Sequence, residues 1–181
     1  MRKMLTFTDL LTIQRKLNSH LEEKPKRNDD VLWALITELG ELGQARKGEW
    51  CWWKRYGKTF EARSREAQIE ECVDVLHFAL TGILQDTSKV SSLHDIWQYA
   101  WDQTKPVTLS EVLNCYVLPA GGIWVTGAVK LAKLCGFTRE EIEAAFLAKV
   151  QKNKDRWTKT ESPKEPATSG WLSWASSLLR F

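Results

Sequence analysis

Apolar residues along this chain recur at spacings of three and four, and no stretch alternates convincingly with a period of two. That pattern predicts an all-α protein, a bundle of about five main helices. The first is expected from Thr6 or Thr8 to about Glu23, with Leu10, Leu11, Ile13, Leu17 and Leu21 as its apolar stripe and Pro25 closing it. The second starts at Asn28 or Asp29, both good N-caps, carries Val31, Leu32, Leu35, Ile36, Leu39 and Leu42, and fades near Gly48. The third covers roughly 62–84 and buries Ile69, Val73, Leu76, Leu80 and Ile83. In the less regular stretch 86–107, Ser92 to Asp95 can cap a short helix that ends near Trp101. Thr108 and Glu111 form a capping box for the fourth helix. Pro119, Gly121 and Gly122 break that helix, and it resumes through Trp124, Val125, Val129, Leu131 and Leu134. Gly136 suits a C′ position, and a second capping box, Thr138 with Glu141, opens a fifth helix running to about Trp157.

The organisation expected is one helical domain over 1–157, followed by a linker and a short apolar tail over 158–181. Residues 158–170 are rich in Pro, Ser, Thr and Lys and read as a flexible linker. In the tail, Trp171, Trp174, Ala175 and Leu178 again follow helical spacing. A length of 181 residues suffices for one full core and not for two ordinary domains.

A net charge of +3 gives no reason to expect nucleic-acid binding. Cys51, Cys72, Cys115 and Cys135 form no CxxC pair, which argues against a zinc site or a disulfide framework and fits a reducing compartment. With no apolar run long enough to span a bilayer and no evident secretory signal, a soluble cytoplasmic protein without membrane contact is expected. Ten tryptophans are the odd quantity, and many of them need either a structural or a ligand-facing role.

The candidate chemistry is acidic. Glu38 and Glu41 lie three apart on the second helix, and Glu71 and Asp74 three apart on the third, with Glu70 adjacent. If the two helices pack antiparallel, four carboxylates converge, and Glu38 and Glu41 interrupt an apolar segment between Leu35 and Leu42. Converging carboxylates that lose hydration repel one another, and a hard divalent cation is the usual remedy. Mg²⁺, which takes oxygen ligands and keeps several waters, suits a few carboxylates plus a substrate's phosphates. The plain alternative is two ordinary solvated stripes, since a single Glu-x-x-Glu is common on exposed helices.

Other residues fit a polyphosphate nucleotide. Trp52 and Trp53 could stack on a base, although any single tryptophan there more often packs the loop onto the core, while Lys54 and Arg55 could meet phosphates. Lys149, Asn153 and Arg156 share one face of the fifth helix, although basic residues there also complement the helix dipole. His77 falls one turn beyond Asp74; a lone histidine there is more often a satisfied core residue than a general base, and a polar contact to a ligand is the functional alternative. Gln14 and Asn18, four apart on the first helix, could read a base edge or be plain surface residues.

Together these residues resemble the dimeric dUTP pyrophosphatase (dUTPase) family of the all-α, MazG-like NTP pyrophosphatase superfamily. The resemblance is carried by residues 14–18, by Glu38-Leu39-Gly40-Glu41, by Trp53-Lys54, by the string Glu71 to Phe78, and by 146–156. It spans about residues 10–157, with 86–107 poorly matched. It implies metal ligation by Glu38, Glu41, Glu71 and Asp74, with two or three Mg²⁺ ions per site and Glu38 or Glu41 orienting the attacking water. It implies nucleobase contacts from Gln14, Asn18, Trp53 and His77, phosphate contacts from Lys54, Lys149, Asn153 and Arg156, and a homodimer. Where the family usually continues with Gln and a Gly-Tyr pair after the arginine, this chain has Trp157-Thr158-Lys159-Thr160. The string Trp53-Lys54-Arg55-Tyr56 is also similar to phage dCTP/dUTP pyrophosphatases of the same superfamily. The expected activity is Mg²⁺-dependent hydrolysis of dUTP to dUMP and pyrophosphate. The alternatives are a dCTP or broader dNTP pyrophosphatase and a non-enzymatic helical interaction protein whose tail docks elsewhere.

Overall fold

A computed structural model describes residues 4–20, 28–51, 62–85, 96–103, 105, 107–117 and 121–160. Among them the structure is all-α, with eight helices: α1 (Phe7–Asn18), α2 (Asn28–Ala45), α3 (Lys47–Trp50), α4 (Arg65–Gln85), α5 (Ile96–Asp102), α6 (Leu109–Val117), α7 (Gly121–Leu134) and α8 (Arg139–Thr160). The linker expected from 158 does not begin there, since 158–160 continue α8; the rest of it and the apolar tail lie outside the described residues, as do Trp52, Trp53, Lys54 and Arg55.

Local signals set most boundaries. Thr6 caps α1 in a reciprocal box with Asp9. Both Thr108 with Glu111 and Thr138 with Glu141 exchange side-chain and backbone hydrogen bonds as capping boxes do. Gly136 ends α7 at φ 74°, a left-handed conformation that glycine adopts without penalty. The first helix is shorter than its pattern suggested and stops at Asn18, not near Glu23. There the Ser19 hydroxyl donates to the Lys16 carbonyl and His20 N–H donates to the Leu17 carbonyl, so the last turn tightens and closes.

α4 is the central element. Cys72, Val73, Val75, Leu76, Ala79, Leu80 and Ile83 are all buried, so this helix is covered nearly all round rather than along one stripe. α2 runs antiparallel to it, since Arg63 N–H, just before α4, donates to the Ala45 carbonyl at the end of α2 at 2.8 Å. α7 crosses α4 closely at Gly82, where an added Cβ would stand 2.5 Å from the Trp124 ring. α8 is pinned at its start by buried Glu143, which accepts from Leu5 N–H, Trp97 Nε1 and Arg139 Nε. Trp97 and Trp124 are thus core residues, whereas Trp33 is 68% exposed and Ile36, expected in the core stripe of α2, is exposed as well. All four cysteines are free thiols, with Cys51, Cys72 and Cys115 buried.

Candidate functional site

The antiparallel pairing of α2 with α4 brings the acidic motifs together. One carboxylate oxygen from each of Glu38, Glu71 and Asp74 lies within 4.8 Å of the other two, and all three side chains are partly buried. Glu41, one turn along α2, is exposed and lies outside this tight group. Its charge nevertheless reaches both Glu38 and Glu71 and helps to raise them.

Burial is the first cause of strain in the cluster. It pushes the Glu38 carboxyl up to about 7, with the charges of Asp74, Glu41 and Glu71 adding to the rise. Glu71 is raised by burial and then by Glu41 and Asp74, and Asp74 is raised by burial despite the ammonium group beside it. Three half-buried oxygen donors that resist ionisation fit a hard divalent cation, which would restore their charge balance.

Cationic side chains border the cluster. Lys149 Nζ donates to Asp74 Oδ2 at 2.6 Å and to Glu70 Oε1 at 2.9 Å. Lys152 Nζ meets the same Glu70 oxygen, and the two lysines hold Glu70 at about 2. Arg63 reaches Glu71 at 3.4 Å from an exposed position. Farther along α8, Asn153 is partly buried and Arg156 exposed.

Behind the cluster lies a polar network in an apolar wall. Gln14 and His77 are buried. Gln14 Nε2 donates to Asn18 Oδ1 at 2.8 Å and to Thr81 Oγ1 at 3.1 Å. Gln14 Oε1 is therefore left to face His77 Nδ1, 2.6 Å away. An amide oxygen only accepts, so Nδ1 carries the proton and donates. His77 Nε2 is then a lone-pair acceptor, buried and without a hydrogen-bond partner among the described residues. Burial holds the imidazole down to about 3, so it stays neutral near pH 7, and its ring stacks on Phe146 at 4.5 Å.

The structure thus brings Glu38, Glu71, Asp74 and Lys149 together, and Gln14, Asn18 and His77 together. From sequence, Glu70 stands out only as a neighbour of Glu71, and Thr81, Arg63 and Lys152 do not stand out as partners. Helical spacing held a usable signal for two of them, because Glu70 lies four before Asp74 and Thr81 four after His77.

A family model described as dUTPase matches residues 6–120. That span contains both acidic motifs and the Gln14–His77 network, and it ends before α8. No curated protein matches the sequence.

Proposed function

The chain belongs to the all-α dUTPase family, and from that premise we propose that it hydrolyses dUTP to dUMP and pyrophosphate with Mg²⁺ as its cofactor. The observation that carries this reading is the convergence of Glu38, Glu71 and Asp74 at the α2–α4 pairing. These three carboxylates, with Glu41 at the rim, would hold the metal, two or three ions on the family pattern. When bound, Mg²⁺ supplies Lewis-acid chemistry, acidifying water and offsetting phosphate charge.

The chain's own groups do the rest. Glu38, one of the two carboxylates of the first acidic motif, is suited to orient the attacking water and take its proton at a carboxylate oxygen. Glu41 is the second candidate for that role. Lys149, with Lys54, Asn153 and Arg156, meets the oxygens of the triphosphate, and Trp53 stacks on the base.

The His77 tautomer supports uracil as that base. Nε2 holds a lone pair that is buried in the nucleotide-free fold; a base that displaced its cover would meet an acceptor, which suits the N3–H of uracil and opposes the acceptor N3 of cytosine. Gln14 and Asn18 hold that tautomer and complete the base edge.

The same reading includes a cytoplasmic homodimer. Its support is an apolar groove of about 600 Å³, lined by Leu39, Gly43 and Trp50 on one side and Leu109, Leu113 and Leu131 on the other. Among the described residues no helix is long and apolar enough to cross a membrane.

Pyrophosphate release from dUTP, dCTP and the other nucleotides with Mg²⁺ tests the proposal, beside a Glu71→Ala variant. Release from dUTP that falls at least about 100-fold in the variant is expected. Full activity of Glu71→Ala would sink the metal assignment, and a preference for dCTP would sink the base assignment.

A further inference from the structure

The carboxylate cluster is not empty of positive charge. Lys149 reaches it from α8 with a side chain only 14% exposed, and its Nζ sits 2.6 Å from Asp74 Oδ2. Asp74 is at the same time one of the three residues whose oxygens gather within 4.8 Å. An ammonium group thus already neutralises part of the charge that a divalent cation would take.

The second partner of Lys149, Glu70, is not one of those three residues. Glu70 lies one turn before Asp74 on α4, is 39% exposed, and accepts from both Lys149 and Lys152. Among the described residues it is not part of the converging trio. The Lys149 ammonium is therefore shared between a carboxylate inside the cluster and one at its edge.

We propose that Lys149 is a built-in counter-ion of the cluster, displaced from Asp74 when a divalent cation binds and retained by Glu70 at the edge, where its ammonium is free to meet a polyphosphate. The proposal rests on the metal reading above and adds an order to it: the cation enters first by ion exchange, and the exchange presents a phosphate-binding group. A divalent cation and an ammonium group on the mostly buried Asp74 carboxylate repel strongly, whereas the more exposed Glu70 already carries two ammonium groups, which is why Lys149 yields at Asp74 and stays at Glu70. Glu70 acts here as a positioning residue for Lys149.

Mn²⁺ serves as the probe, bound to the nucleotide-free protein at pH 8.5, where proton competition is small, and followed by electron paramagnetic resonance. Lys149→Met removes the competing ammonium and is expected to tighten Mn²⁺ binding about tenfold or more. Lys149→Arg keeps a cation and is expected to bind no more tightly than the wild type. Glu70→Gln is expected to weaken binding several-fold in the wild type, since Lys149 then rests on Asp74 alone, and to matter little in the Lys149→Met background. The rise in melting temperature on adding Mn²⁺ gives the same ranking if Lys149→Met is less stable in EDTA. Unchanged or weaker binding in Lys149→Met overturns the counter-ion role and leaves the metal reading standing. Equal tightening in Lys149→Arg, or a Glu70→Gln effect of the same size in both backgrounds, also overturns it. A wild-type protein that binds no Mn²⁺ overturns both this inference and the metal reading.

Discussion

Glu38 keeps its proton at a pH where an exposed glutamate has long lost it. Its folded-state value of about 7 lies above the ordinary 4.5, chiefly through burial. The native state therefore binds the extra proton, and the cation-free protein loses this residue's contribution to stability as pH climbs from about 4.5 to about 7. His77 has the opposite sign. Its folded value of about 3 lies below the ordinary 6.5, so its contribution is intact above 6.5 and is lost as pH falls below it. The two slopes oppose each other between about 4.5 and 6.5. Glu38→Gln, which removes one of them, should make thermal stability in EDTA fall more steeply with acid than in the wild type; identical profiles would contradict the assignment. Divalent-ion affinity needs Glu38 ionised, so it should rise with pH up to about 7 and then level off, as titration calorimetry across pH 5.5–8.5 can check. At the base edge, His77→Phe removes the acceptor, and the KM for dUTP should rise about tenfold or more while weak turnover of dCTP stays as it was. A uniform loss for both nucleotides would mean that Nε2 does not read the base.

Among the helices, α4 is the element against which α1, α2, α7 and α8 all pack, and its packing tolerates little change. A methyl at position 82 would meet the Trp124 ring at 2.5 Å, inside van der Waals contact and against a side chain that is itself buried. Gly82→Ala should therefore cost about 1–3 kcal/mol despite the gain in helix propensity, a shift visible in urea or thermal unfolding. A variant as stable as the wild type would mean that α7 can step back freely. Thr138→Ala, which removes a capping oxygen from α8, should cost about 1 kcal/mol by the same measurement. These features divide what the sequence made legible from what it did not. Capping boxes at Thr108 and Thr138 act within four residues, so spacing alone revealed them, and the same holds for the i, i+3 acidic pairs. The exposure of Ile36, the burial of α4 all round and the bond from Lys149 to Asp74 depend on how helices distant in sequence come together. No local pattern encodes that. The convergence of the carboxylates was inferred only by assuming that α2 and α4 pack antiparallel.

At the scale of the whole molecule, two helices leave apolar surface uncovered. Trp33 and Ile36 on α2 and Leu109, Leu113 and Val117 on α6 are exposed, Val117 by 78%. Leu109 and Leu113 line the groove of about 600 Å³. Monomers seldom leave a patch of this kind open, and one side of a stable protein–protein contact covers about 800 Å². Leu113→Glu places a charge in that groove and should turn a dimer into monomer by light scattering, with the helix content of each chain kept; a wild type that is already monomeric would remove the dimer from the proposal. The thiols of this fold have a practical consequence of their own. Cys72 sits between Glu71 and Val73 on the most enclosed helix, and burial pushes its thiol well above the ordinary range. A soluble alkylating reagent can reach it only when α4 parts from its neighbours, so its rate of modification clocks how often the interior opens. Divalent ions drawn to the adjacent carboxylates should slow that clock, giving the protein a native stopwatch for ligand occupancy that needs no substrate turnover.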